Sequence, residues 1–209
     1  MCRAGYWRPL LTNRPAKPPE SNKPFWAYLL IVIAIIAAAA LMELAMGRTP
    51  ISKSGTIKLW VSETNSAETS QQIADWYSVT HITHGIILYG LIWLVSRGRL
   101  SMGRCLVLAV FAESAWEVLE NSDFIINRYR EATISNGYYG DSILNSMSDI
   151  LCCLTGFLLA RYLPLRATLV LVVVFEVGLA FAIRDNLTLN IIMLVHPFEA
   201  IKVWQMGAG

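Results

Sequence analysis

Ala112-Glu113-Ser114-Ala115-Trp116-Glu117-Val118-Leu119-Glu120-Asn121-Ser122 is the stretch whose reading decides the fold. It continues the apolar run 105–112 without a break, so the helical pattern carries on into it. Yet Glu113, Glu117 and Glu120 recur at i, i+4 and i+7, which puts three carboxylates on one helical face. In hydrocarbon, one ionised carboxylate costs about 2.5–3.5 kcal/mol on insertion scales. A helix of this kind needs a polar counterpart elsewhere in the chain.

The segments around it read as membrane spans. Of the 209 residues, 55% are hydrophobic and only 15% charged, well below the usual charge of a water-soluble domain. Residues 25–46 form an apolar run long enough to cross the bilayer once, and too long for the core of a cleaved signal peptide. Further spans are expected over 76–95, 105–121, 142–163 and 167–183. Residues 187–204, interrupted by His196-Pro197, read as an interfacial or re-entrant helix, with a sixth span as the alternative. The fold class expected is all-α, a polytopic transmembrane helix bundle of one domain over 25–209, behind a disordered cytoplasmic tail at 1–24. Residues 56–61 alternate in a way that permits a short strand or hairpin arm, and 121–140 read as a polar connection. The net charge of +2 and the absence of a basic block exclude a nucleic-acid partner at this stage, so the lipid bilayer is the partner expected. Cys2, Cys105, Cys152 and Cys153 lack the spacing of a disulfide framework or zinc site.

Charge sets the orientation. The N-terminal tail and the turns at 97–104 and 161–166 hold most of the Lys and Arg, so these belong in the cytoplasm. The location expected is the bacterial inner membrane, multi-pass, with the N-terminus inside. That topology sends Asp75, His81 and His84, then Glu113 to Asn121, then Asp141, Asn145, Ser148 and Asp149, and finally Arg184, Asp185, Asn186 and Asn190 to the periplasmic side. The inner halves of the same helices are nearly featureless.

Several chemistries fit such a convergence. Glu113, Glu117 and His84 are the catalytic candidates, through general acid–base transfer between carboxylate and imidazole. His81, His84, Glu117 and Asp149 are the metal candidates, since two imidazoles and carboxylates suit a divalent cation such as zinc or manganese. No zincin motif accompanies them, so the cofactor stays unknown. Arg128, Arg130, Arg184 and Asn190 are the candidates for holding a substrate headgroup. Asn121, Asp141, Asn145, Asp185 and Asn186 read as a structural polar network. The plain alternative for the whole set is hydrogen bonding that fixes helix packing. Asp75, Glu120 and Asp141 read as interfacial, suited to capping or solvation. Glu43 is expected to reach water, Glu176 to be protonated or bonded to a neighbour, and Gly85, Gly90 and Gly156 to allow close helix approach. Trp116, Tyr138 and Tyr139 suit an interfacial belt better than a binding site.

The strings Asp75-Trp76-Tyr77 with His81 and His84-Gly85, Trp116-Glu117-Val118-Leu119-Glu120-Asn121-Ser122, Arg128-Tyr129-Arg130-Glu131-Ala132-Thr133, Tyr139-Gly140-Asp141-Ser142 and Arg184-Asp185-Asn186-Leu187-Thr188-Leu189-Asn190 resemble an uncharacterised bacterial inner-membrane protein family (a UPF family with a domain of unknown function). The resemblance covers nearly everything after Gly47 and implies multi-pass membrane residence without an assigned activity. It also implies a C-x-C pair where this chain has Ser52 and Ser54, which cannot form a disulfide. The order of histidine, Glu-rich helix and Asp/Asn helix is distantly similar to VanZ-like membrane proteins, which suggests envelope chemistry.

Three functions remain in competition. One is a membrane-embedded hydrolase or transferase acting on an amphiphilic envelope substrate. The second is a structural or accessory membrane protein, and the third a small transporter, against which the featureless inner halves count.

Overall fold

A computed structural model describes residues 24–135 and 137–207. Cys2 and the expected tail at 1–24, apart from Pro24, lie outside those residues. Among the described residues eight helices follow one another: α1 (Phe25–Ala45), α2 (Ser78–Ser96), α3 (Met102–Glu120), α4 (Asp123–Ala132), α5 (Ile143–Tyr162), α6 (Leu165–Ile183), α7 (Leu187–Val195) and α8 (Glu199–Gln205). α1, α2, α5 and α6 are long and apolar enough to cross a membrane, which marks the chain as a membrane protein. α3 has the length but carries too much charge to join that set.

Two glycines hold the centre together. α2 packs most extensively against α5. A Cβ on Gly85 would stand 1.8 Å from the carbonyl oxygen of Cys153, and one on Gly156 would stand 1.8 Å from that of Ile82. Each helix thus rests its backbone on the other at a residue without a side chain. Around this seam lie Ile86 and Tyr89 of α2 and Ile150 and Phe157 of α5, with Tyr89 and Phe157 edge to face at 5.2 Å. Leu106, Ala109 and Val110 of α3 and Val32 of α1 complete the core. α1 and α6 lie outermost: Leu30, Ile33 and Leu41 on one, and Val170, Val173, Val174 and Phe181 on the other, are exposed. In water such a surface would aggregate; in lipid it is the ordinary exterior of a span.

Some expectations fail here for local reasons. Residues 56–61 form no strand: Ile73 N–H bonds to Lys58 O and Val61 N–H to Ala74 O, but the pairing does not extend into a ladder. The stretch 121–140 is not merely a connection, because α4 occupies its first half, capped by the Ser122 hydroxyl accepting from Ile125 N–H. The second helix begins at Ser78, beyond Trp76 and Tyr77. Glu43 does not reach water; it is fully buried beside Asp141, Ser146 and Arg48.

The loop between α1 and α2 folds over the start of α5. Carbonyls of Ser70, Thr49 and Pro50 accept from the N–H groups of Ser142, Ile143 and Leu144, which a helix start otherwise leaves unpaired. The buried Gln71 and Gln72 fix the loop in place, the first donating to Gly140 O and the second accepting from Lys58 N–H. At the other end of the chain, α7 starts against the side of α6. Glu176 accepts the N–H groups of Leu187 and Thr188 at the N-terminus of α7. Arg128 donates to the carbonyls of Leu194 and Val195 at its C-terminus. Both ends of this short helix are thereby held from neighbouring elements.

Candidate functional site

α2 and α3 bring the expected histidines and carboxylates into direct contact. His81 Nδ1 lies 2.6 Å from Glu113 Oε1 and 3.2 Å from Glu117 Oε1. His84 Nδ1 lies 3.3 Å from that same oxygen of Glu113. His81 Nε2 faces Asp149 Oδ2 on α5 at 3.9 Å. Helical spacing explains the set: His81 and His84 are one turn apart, as are Glu113 and Glu117, so two stripes meet across one helix interface. Glu113 and Glu117 are buried to 2% and 1% exposure, and His84 is partly open.

Above this centre is a cavity of about 660 Å³. Its polar wall includes His81, His84, Glu120, Asp141, Asp149 and Asn190. Leu187, Ile191 and Leu194 of α7 supply an apolar wall opposite, and Trp116 stands edge-on to His84. Glu113 and Glu117 sit behind the histidines. The size is in the usual range for a small-molecule site, and the mixture of walls suits a ligand with a polar head and an apolar part.

The sequence expectations divide here. His81, His84, Glu113, Glu117 and Asp149 come together, and Asn190 reaches the same cavity. The three arginines do not. Arg128 caps α7, Arg130 donates to Tyr138 O, and the exposed Arg184 donates to Trp204 O; none of them lines the cavity. Each donates to a main-chain carbonyl instead. Glu120, half-buried, lines the cavity beside Trp116 and Tyr129. Trp116, Tyr138 and Tyr139 are cavity walls too, and so are Tyr77, which reads in sequence as an interfacial aromatic, and Tyr129.

The structural network takes shape around Asn121. Fully buried, it donates through Nδ2 to Glu117 O, Asp141 Oδ2 and Ser146 Oγ, and accepts the Asp141 N–H on Oδ1. One amide therefore ties α3 to the start of α5 and the loop before it. Asn145 donates to Gln72 O. Asp185 accepts from Asn186 N–H and from Asn190 and Tyr77, while Asn186 caps α7. Asp75 accepts from Ser70 and Tyr77 N–H groups and is buried, so capping holds for it and solvation does not. Of the serines, Ser142 caps α5 and Ser146 accepts from Asn121. Ser52 and Ser54 lie hydroxyl to hydroxyl at 3.0 Å, both beside Glu68.

Asp141 carries a pH dependence. Burial pushes its carboxyl up to about 7, against the hydrogen bonds from Tyr138 and Asn121 that draw it down. The folded state then holds a proton that the unfolded chain releases near 3.8. This contribution to stability is complete below the unfolded value and lost as pH rises through about 7. Asp185, raised to about 6 by burial, acts in the same direction. Thermal melting of the purified protein should fall from about pH 5 to about pH 8. Asp141→Asn, which imitates the protonated acid, should flatten that slope, and an unchanged slope would remove Asp141 as its source.

Comparison with known proteins places this arrangement in a family. The family model described as "Protein of unknown function (DUF2585)" matches residues 41–207, and the chain belongs to that family. The UPF0314 protein of Paracoccus denitrificans (strain Pd 1222) is 50% identical over 184 residues, covering 88% of this chain and 93% of that protein. The UPF0314 protein of Sinorhizobium fredii is 48% identical over 182 residues, covering 87% and 92%. That of Sphingopyxis alaskensis is 48% identical over 179 residues, covering 85% and 94%. These comparisons do not show the likeness to VanZ-like proteins. No solved structure matches the chain.

Proposed function

We propose that this protein is a membrane-embedded hydrolase or transferase acting on an amphiphilic envelope substrate at the periplasmic side of the inner membrane. The observation that carries the reading is the shared oxygen of Glu113, which holds both His81 and His84 by Nδ1 at the foot of a cavity with one apolar wall. A carboxylate only accepts hydrogen bonds, so this contact directs both Nδ1–H groups inward and leaves each Nε2 free to take a proton. His84, the more open of the two, is the general base; Glu113 orients it, and Glu117 Oε1 lies 3.2 Å from His81 Nδ1 behind it. His84 accepts a proton from water or an acceptor hydroxyl, the freed oxygen bonds to the electrophilic centre, and the leaving oxygen departs with the proton. Asn190 and the tyrosines around the cavity would place the headgroup, and Leu187, Ile191 and Leu194 the apolar portion.

The same proposal takes five spans, α1, α2, α3, α5 and α6, with the N-terminus cytoplasmic, residues 25–209 as one domain and α7 re-entrant. The Glu176 cap supports that last element, since it anchors α7 seven residues before the end of α6. α3 crosses despite its charge because its carboxylates face α2 and α5.

Lipid profiling of cells lacking the protein, complemented with wild type or His84→Asn, tests the reaction. An envelope species should accumulate in the deletion and in the variant and return to normal with wild type. Identical profiles in all three would leave the second reading, a packing network without chemistry, which the fully buried bonds of Asn121 favour for its part of the cluster.

A further inference from the structure

We propose that His81, His84 and Glu113 bind one divalent transition-metal ion of the zinc class. The inference rests on the same centre as the catalytic reading above, with one change: Nδ1 on the metal leaves each ring proton on Nε2, so a metal-held water would stand in for His84 as the base. Two imidazole nitrogens and one carboxylate oxygen converge there within 4.8 Å of one another, while Glu117 stands beside His81 in a second group with Glu120. With ligand bonds of about 2.0–2.2 Å, neighbouring ligand atoms of a tetrahedral site stand about 3.3 Å apart. Of the two separations to Glu113 Oε1, the 3.3 Å from His84 Nδ1 matches that edge. The remaining one, 2.6 Å from His81 Nδ1 to Glu113 Oε1, is a hydrogen bond whose proton the metal would replace.

Two independent observations point to a cation as the partner of this centre. His81 Nδ1 carries at most one hydrogen and Glu113 takes it, so Glu117 Oε1 is left buried without a hydrogen-bond partner. Asp149 Oδ1, on a residue of 4% exposure, is likewise unpartnered. In addition, no Lys or Arg is among the residues lining the cavity, so Glu113, Glu117, Glu120 and Asp149 have no cationic side chain to balance them there. A buried charge without compensation is expensive, and a dication supplies what the side chains do not. Asp149, 3.9 Å from His81 Nε2, occupies the place of the outer carboxylate that receives the second ring N–H of a ligating histidine. Nitrogen ligands favour zinc over manganese at such a site.

The purified full-length protein in detergent, dialysed against EDTA and reloaded with Zn²⁺ alone, should take up one zinc per chain. Glu113→Gln and His84→Ala should bind it at least about tenfold more weakly. X-ray absorption of the zinc-loaded wild type should read two imidazoles, a result that does not depend on any variant folding. Folded wild type that takes up no zinc, a spectrum without imidazole, or folded variants that bind as tightly as wild type would overturn the site. Zinc uptake without a lipid change keeps the site and removes the reaction; a lipid change without zinc does the reverse.

Discussion

Gly85→Ala and Gly156→Ala should each leave little folded protein. The new methyl group would meet backbone, not a flexible side chain: a Cβ at either position falls 1.8 Å from a carbonyl oxygen of the facing helix. Relief requires α2 and α5 to separate. That separation would loosen Tyr89 against Phe157, and it would move His81 and His84 away from Asp149. Overpacking a close-packed interior costs about 1–3 kcal/mol and more where backbone must move. The expectation is a loss beyond the top of that range, read as a collapse of monodisperse protein after extraction or a large drop in melting temperature. Gly178→Ala is the control, because a Cβ there meets nothing within 4 Å. Equal behaviour of all three variants would contradict the glycine seam.

Asn121→Leu should be the next most damaging change. The substitution keeps much of the volume but removes a donor shared among Glu117 O, Asp141 Oδ2 and Ser146 Oγ, and the acceptor of Asp141 N–H. Each polar group left buried and unpaired costs about 1–3 kcal/mol, and this variant strands more than one. A destabilisation of about 3 kcal/mol or more is expected, measured by thermal or denaturant melting in detergent. A leucine variant as stable as wild type would show that the amide does not tie α3 to α5.

The parts of the site legible in the sequence were those that local periodicity controls. The spacing of His81 with His84, and of Glu113 with Glu117, put each pair on one face, and the order of apolar runs sent both to the same end of the bundle. Gly85 and Gly156 were read for close approach, which the structure bears out. What stayed out of reach depended on long-range partners. Glu120 looked interfacial because α3 ends there, but α4 turns back and lays Tyr129 beside it. A signal for α4 was present in Ser122-Asp123, a cap followed by an acid in the first turn. Arg128, Arg130 and Arg184 were visible as charges, whereas the carbonyls they bond to belong to residues 8 to 67 positions away. Nothing in the pattern of Tyr77, Tyr129 or Tyr138 distinguished a cavity wall from a membrane belt.

The most direct measurement of the central claim is a reaction in vitro. Purified wild-type protein would be incubated with total lipid extracted from cells that lack it, and the products followed by mass spectrometry. The account predicts one lipid species consumed and a headgroup or transferred group appearing, with both changes abolished by His84→Asn and by Glu113→Gln in protein that still melts cooperatively. An extract unchanged by folded wild-type protein, or changed equally by the variants, would contradict it.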